Sequence, residues 1–260
     1  MDDCCCTEPG TIKISEFDPS LTDDLRFLRQ TAAVVVRDVP LMTSNQTLID
    51  TKRIYFAGHS NGCMTSLSMA AVHSDLVAAV SCHAGTMLTP FAQDYIATPI
   101  WMVIGTADPL VSYNGGNNNF WWSWMYPSSE TVFSLFANAN QCNFTDTQIV
   151  NPAPGSNANK YSRFKGTSCK DDANVVLLAL DNVGHNPYLG DSSEDVPIGI
   201  RQPVTLDTTQ MGWDFMRTHS LKDVPNLDDL PIGEVSTSSS YKKSVCVTFM
   251  LSISSIILVL

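Results

Sequence analysis

Apolar positions recur along this chain in two rhythms. Leu21, Leu25, Leu28, Ala32 and Val35 are separated by four, three, four and three residues, which puts them on one face of a helix over 21–35. Ser20 or Thr22 is placed to cap it. Elsewhere the apolar residues are consecutive. Short runs at 53–57, 76–82, 99–105 and 175–180 are apolar nearly throughout, the pattern of strands buried on both faces. Helical patterns lie between or after them at 63–72, at 129–139 behind Pro127-Ser128, and at 207–218. The last of these carries Met211, Phe215 and Met216 on one side and Trp213 elsewhere. Alternating strands and helices predict a parallel sheet covered on both faces. The stretch 40–50 is turn-rich. The stretch 143–168, rich in Asn, Pro, Gly and Ser, reads as a loop, and 219–243 as a polar linker. No internal repeat is present.

The ends carry a different signal. Val245 to Leu260 is apolar apart from Thr and Ser, and it follows the small residues Ser236 to Ser240 and a short spacer containing Lys242 and Lys243. This is the layout of a glycosylphosphatidylinositol attachment signal, so the mature chain is expected to end within 236–240 and to carry a lipid. A membrane-spanning tail anchor is the rival, although ~20 apolar residues normally span a bilayer. Met1-Asp2-Asp3-Cys4 has neither the basic nor the apolar region of a secretion signal. The expectation is therefore either a tail-anchored cytosolic protein or, the reading preferred here, a secreted protein whose first segments precede Met1. The units expected are one α/β domain over 1–218, the linker 219–243 and the tail 244–260.

Composition narrows the function classes. The 260 residues hold 15 Lys plus Arg against 26 Asp plus Glu, a formal charge of -11, which disfavours a nucleic-acid or other polyanion partner. The 8 cysteines contain no C-x-x-C pair, which disfavours a zinc ribbon; no metal or cofactor is expected. Cys142 and Cys169 flank 143–168, and a disulfide between them would tether a segment with little core of its own, worth ~3 kcal/mol. Asn45-Gln46-Thr47 and Asn143-Phe144-Thr145 are glycan acceptors in a secretory pathway.

Gly58-His59-Ser60-Asn61-Gly62 stands after a predicted strand and before a predicted helix, the context of a nucleophile elbow. Ser60 is the candidate nucleophile, and the Asn61 N–H, opening the helix, the candidate oxyanion donor. The acid and the base follow in chain order in folds of this kind. His185, just past the strand 175–180, is the candidate base, with His83 a minor alternative. Asp108, past the strand 99–105, is the candidate acid, with Asp181 the runner-up. His59, Trp121 and Trp122 are candidates for substrate contact, the two tryptophans belonging to an Asn- and Trp-rich cluster at 117–124 that reads either as an aromatic platform or as a loop packed on its own core.

These linked motifs resemble the polyhydroxyalkanoate depolymerase and feruloyl esterase branch of the α/β hydrolases. The matching stretches are Cys4-Cys5-Cys6, Asp23 to Leu28, Asp50 to Tyr55, Gly58 to Gly62, Gly105 to Gly116 and Val183 to Pro187, in the family order. The resemblance implies a mostly parallel α/β-hydrolase sheet with helices on both faces. It implies secreted hydrolysis of polyester or phenolic polysaccharide esters through an acyl-serine, with Ser60, Asp108 and His185 as triad. Two departures stand out: Cys63 takes a position usually held by Gly, and Asn186-Pro187-Tyr188 replaces Trp-Pro after the base. Family members also carry strands and a His-Gly oxyanion loop ahead of the Cys-Cys segment, so an N-terminally incomplete domain is expected. The rival reading is a surface-binding protein that keeps the hydrolase fold without its activity.

Overall fold

The computed structural model describes residues 24–42, 49–117, 125–152, 159–185, 206–225 and 256–259. Helix α1 spans Asp24–Met42, β1 Tyr55–His59, α2 Asn61–Val72, β2 Ala79–His83 and β3 Ile100–Gly105. A two-residue pair follows, β4 Gly116–Asn117 and β5 Met125–Tyr126. After it come α3 Ser129–Ala139, β6 Phe144–Val150, β7 Tyr161–Thr167, β8 Val175–Leu180, α4 Thr208–Met216 and β9 Ile256–Val259.

The main sheet has the order β6-β7-β8-β3-β2-β1-β9. Its four central strands, β8, β3, β2 and β1, are parallel, as the continuous apolar runs predict. Alternate residues divide between two cores. Phe56, Val80, Cys82, Ile100, Met102, Val175 and Leu177 face the cluster built with Leu67 and Met69 of α2 and Phe133 and Phe136 of α3. Trp101, Val103, Val176 and Leu178 face the opposite way, against Met211 and Phe215 of α4, while Tyr55 and Ala79 meet Met216. Helices thus cover both faces, and Trp213 stands apart from the core, edge-on to Tyr55 with ring centroids 5.9 Å apart.

Three expectations are corrected. The sheet is mixed, because β6, β7 and β9 run antiparallel to their neighbours. Residues 143–168 are not a loop: β6 and β7 form a hairpin continuing the sheet beyond β8. Six of the seven β6 residues are exposed, so the hairpin lacks the apolar run that marked the central strands. Helix α1 extends to Met42, through the start of the stretch read as turn-rich. Strand β9 is formed by four residues of the apolar C-terminal stretch, with Ile256 opposite Gly58 and Val259 opposite Tyr55.

Candidate active site

The chain leaves β1 through a tight turn into α2. Ser60, at the turn, has φ 56° and ψ -118°, a conformation rare for a residue with a side chain and one that the surroundings must enforce. Its N–H donates to the carbonyl of His83 at the end of β2 (2.8 Å), and its own carbonyl accepts from Met64 N–H (3.1 Å). A side chain at Gly58 would put Cβ 2.2 Å from the Gly62 carbonyl carbon, so the first glycine of the motif is required by the close approach of strand and helix. The Ser60 hydroxyl makes no cap bond to α2, so it is not the capping serine of an ordinary strand-to-helix turn. Asn61 is the first residue of α2, where backbone N–H groups point out of the helix end.

Asp108 lies on the loop after β3. Its Oδ1 accepts from the N–H groups of Leu110 (2.8 Å) and Val111 (2.9 Å), and its Oδ2 lies 2.8 Å from His185 Nδ1. The Asp108 side chain is 0% exposed and that of His185 8%. Burial of a carboxylate demands such pairing, and here both oxygens are engaged. The loops after β3 and β8 are fastened to one another: Thr106 N–H donates to Leu180, Ala107 N–H to Val183, and Asn182 N–H to Thr106 Oγ1. Strand-end loops carry the acid and the base to the same edge of the sheet as Ser60. With Nδ1 committed to Asp108, Nε2 is the imidazole nitrogen left to take a proton.

His59, one residue before Ser60, packs its ring on His185, centroids 4.7 Å apart. Its Nε2 is buried without a hydrogen-bond partner, and its pKa is lowered to about 3, first by burial and then by the adjacent imidazoles of His185 and His83. His59 thus lies ring to ring against His185. His83 pairs in register with His59 across β1 and β2 and is lowered to about 4, chiefly by burial, while hydrogen-bonding the Thr208 backbone beneath α4. Asp181, the runner-up acid, is half exposed and faces Lys160 at 4.0 Å. Among the described residues no group of histidines, cysteines and carboxylates is arranged to hold a metal.

Cys142 and Cys169 form a disulfide, as expected, closing the β6–β7 hairpin at the base of α3. Sequence reasoning left the partner of Cys63 open; the structure joins it to Cys82. No sequence signal pointed to this pair, because Cys82 reaches the start of α2 only through the pairing of β1 with β2, which sets Gly58 beside Cys82. Asn143 is exposed, its Nδ2 donating to the Ser168 carbonyl. Asn45, Trp121, Trp122, Cys4 to Cys6 and the attachment segment 236–240 lie outside the described residues.

Compared with known proteins, the chain matches no family model and no curated protein.

Proposed function

We propose that this chain is a serine carboxylic ester hydrolase of the α/β-hydrolase type, with Ser60 as nucleophile, His185 as base and Asp108 as its orienting acid. The observation that carries this reading is the buried Asp108–His185 hydrogen bond, at the sheet edge where Ser60 occupies a strained turn between strand and helix. An ordinary structural histidine needs no desolvated carboxylate on Nδ1, and an ordinary turn needs no serine at positive φ.

In the proposed reaction His185 Nε2 takes the Ser60 hydroxyl proton as Oγ attacks the ester carbonyl. Asp108 holds the ring in the correct tautomer and stabilises the imidazolium that results. The oxyanion that forms accepts from the Asn61 N–H at the start of α2. Collapse breaks the carbonyl–alkoxy bond, His185 returns the proton to the departing alcohol, and an acyl-serine remains. Water, deprotonated by the same imidazole, releases the acid and restores Ser60. No cofactor enters this scheme.

The motif resemblance suggests polyester or phenolic polysaccharide esters as substrates. Two disulfides and the exposed Asn143 sequon support an extracellular or cell-surface setting, with the membrane reached through a lipid anchor or the apolar tail. Among the described residues no helix is long and apolar enough to cross a membrane.

The test is reactivity. Ser60 is expected to be labelled by a fluorophosphonate probe, and p-nitrophenyl butyrate to be hydrolysed, with both lost in Ser60→Ala. A folded protein whose Ser60 is inert toward the probe would instead fit the noncatalytic binding reading.

A further inference from the structure

Cys63 is the third residue of α2 and Cys82 the fourth of β2. Their disulfide is fully internal, the two residues being 0% and 1% exposed. Only Asn61 and Gly62 separate Cys63 from the nucleophile, while Cys82 precedes His83, whose carbonyl accepts the Ser60 N–H. The covalent link and that hydrogen bond therefore hold the same turn from its two sides, one through the first turn of α2 and the other through the end of β2.

The segment after β2 is shaped around this arrangement. A Cβ on Gly85 would stand 2.3 Å from Cys63 Sγ and 2.8 Å from the Ser60 carbonyl oxygen, so a side chain there would strike the bridge and the elbow together. Cys63 also replaces the glycine usual in the family the motifs resemble. The space its side chain needs is provided by Gly85, and its sulfur is used.

We propose that the Cys63–Cys82 disulfide is a positioning brace for the nucleophile. It fixes the first turn of α2 against β2, and so fixes Ser60 and the Asn61 N–H relative to His185. The proposal rests on the esterase reading above. Ser60 has a backbone conformation that persists only when its surroundings over-determine it, and a covalent cross-link three residues away supplies such a constraint. A displacement near 1 Å in a reacting group lowers rates about 10²-fold, so slackening at this point is expressed in catalysis ahead of global stability. The second disulfide, at the hairpin, is an internal control, since it touches none of these residues.

The experiment compares the full-length wild type with Cys63→Ala/Cys82→Ala and with Cys142→Ala/Cys169→Ala. It reads kcat and KM on p-nitrophenyl butyrate, the rate of fluorophosphonate labelling at Ser60, and amide hydrogen exchange over 60–65. Loss of the inner bridge is expected to lower kcat and labelling about 10- to 100-fold with KM changed by less than about twofold, and to speed exchange over 60–65. Loss of the outer bridge is expected to leave kcat, KM and labelling unchanged, whatever it does to global stability. Should the inner pair of alanines prevent folding, mild dithiol reduction of the folded Cys142→Ala/Cys169→Ala protein, in which Cys63–Cys82 is the one bridge left among the described residues, is read in the same way, with a peptide map confirming that this bridge has opened. Wild-type kcat, labelling and exchange without the bridge would overturn the proposal, as would a non-reducing peptide map of active protein with Cys63 and Cys82 both free. A wild type that neither hydrolyses ester nor labels at Ser60 refutes the esterase reading instead, and the exchange rates then decide the brace alone.

Discussion

Asp108 and His185 make one hydrogen bond from which water is excluded, and the consequence of altering either depends on what the partner is left with. Asp108→Asn keeps the shape but offers Nδ1 a group that can present an N–H in place of an acceptor, which favours the wrong tautomer. The expected outcome is a kcat lower by about 10⁴-fold with little change in KM, measured on p-nitrophenyl butyrate. Ser60→Ala, His185→Ala and the double variant should lose similar activity, because the residues act as one proton-transfer unit. Burial also gives His59 and His83 a signature in acid. Their folded pKa values, about 3 and about 4, lie below the ordinary 6.5, so between those limits the unfolded chain binds protons that the folded chain refuses. Their contribution to stability is intact above 6.5 and falls as pH descends from there. The melting temperature should drop between pH 7 and pH 5, and His59→Phe should flatten that drop; an equally steep fall in the variant would contradict this account of His59. Chain order and strand ends made Asp108 and His185 legible in the sequence. The buried positions of His59 and His83 were not legible, since they depend on which strands become neighbours.

At the scale of elements, legibility followed burial. The boundaries of α3 and β8 agree with the apolar pattern to the residue, and β3 to within one, because each is covered by neighbours and its sequence records that. The β6–β7 hairpin was hidden because its outer strand faces water, so Thr145, Asp146, Thr147 and Gln148 are acceptable there and the sequence looks like a loop. The junction beneath it depends on one side chain. Asn140, fully buried at the end of α3, donates from Nδ2 to the carbonyls of Thr98 and Ala173, and its Oδ1 accepts from the Tyr95 hydroxyl and the Thr98 N–H. It joins α3 to the chain entering β3 and β8. Asn140→Leu strands the Thr98 and Ala173 carbonyls and leaves the Thr98 N–H only the Tyr95 hydroxyl, 3.3 Å away, so it is expected to lower unfolding free energy by about 3 kcal/mol or more, read by urea denaturation. Removing the Cys142–Cys169 bridge should cost about 3 kcal/mol in the same assay, by loop-closure reasoning over the enclosed hairpin.

For the whole molecule, the sheet is a parallel centre that carries Ser60, Asp108 and His185 at its strand ends, flanked by antiparallel strands at both margins. The exposed margin at β6 begins beside Asn143, so a glycan there would stand next to an otherwise open strand edge and obstruct edge-to-edge association. Expression in a secretory host should give a protein whose mobility increases after glycan removal, with Asn143→Gln losing that site. At the other margin, β9 takes its four residues from the apolar tail and lays them against β1, the strand leading to Ser60. One stretch of chain cannot lie in this sheet and in a bilayer at once, nor be discarded during lipid attachment and still pair with Tyr55 to Gly58. The tail thus faces a mutually exclusive choice. If it departs, the N–H and C=O groups on that side of β1 fall vacant, and the strand that runs into the Ser60 turn must recruit water or a different strand in its place.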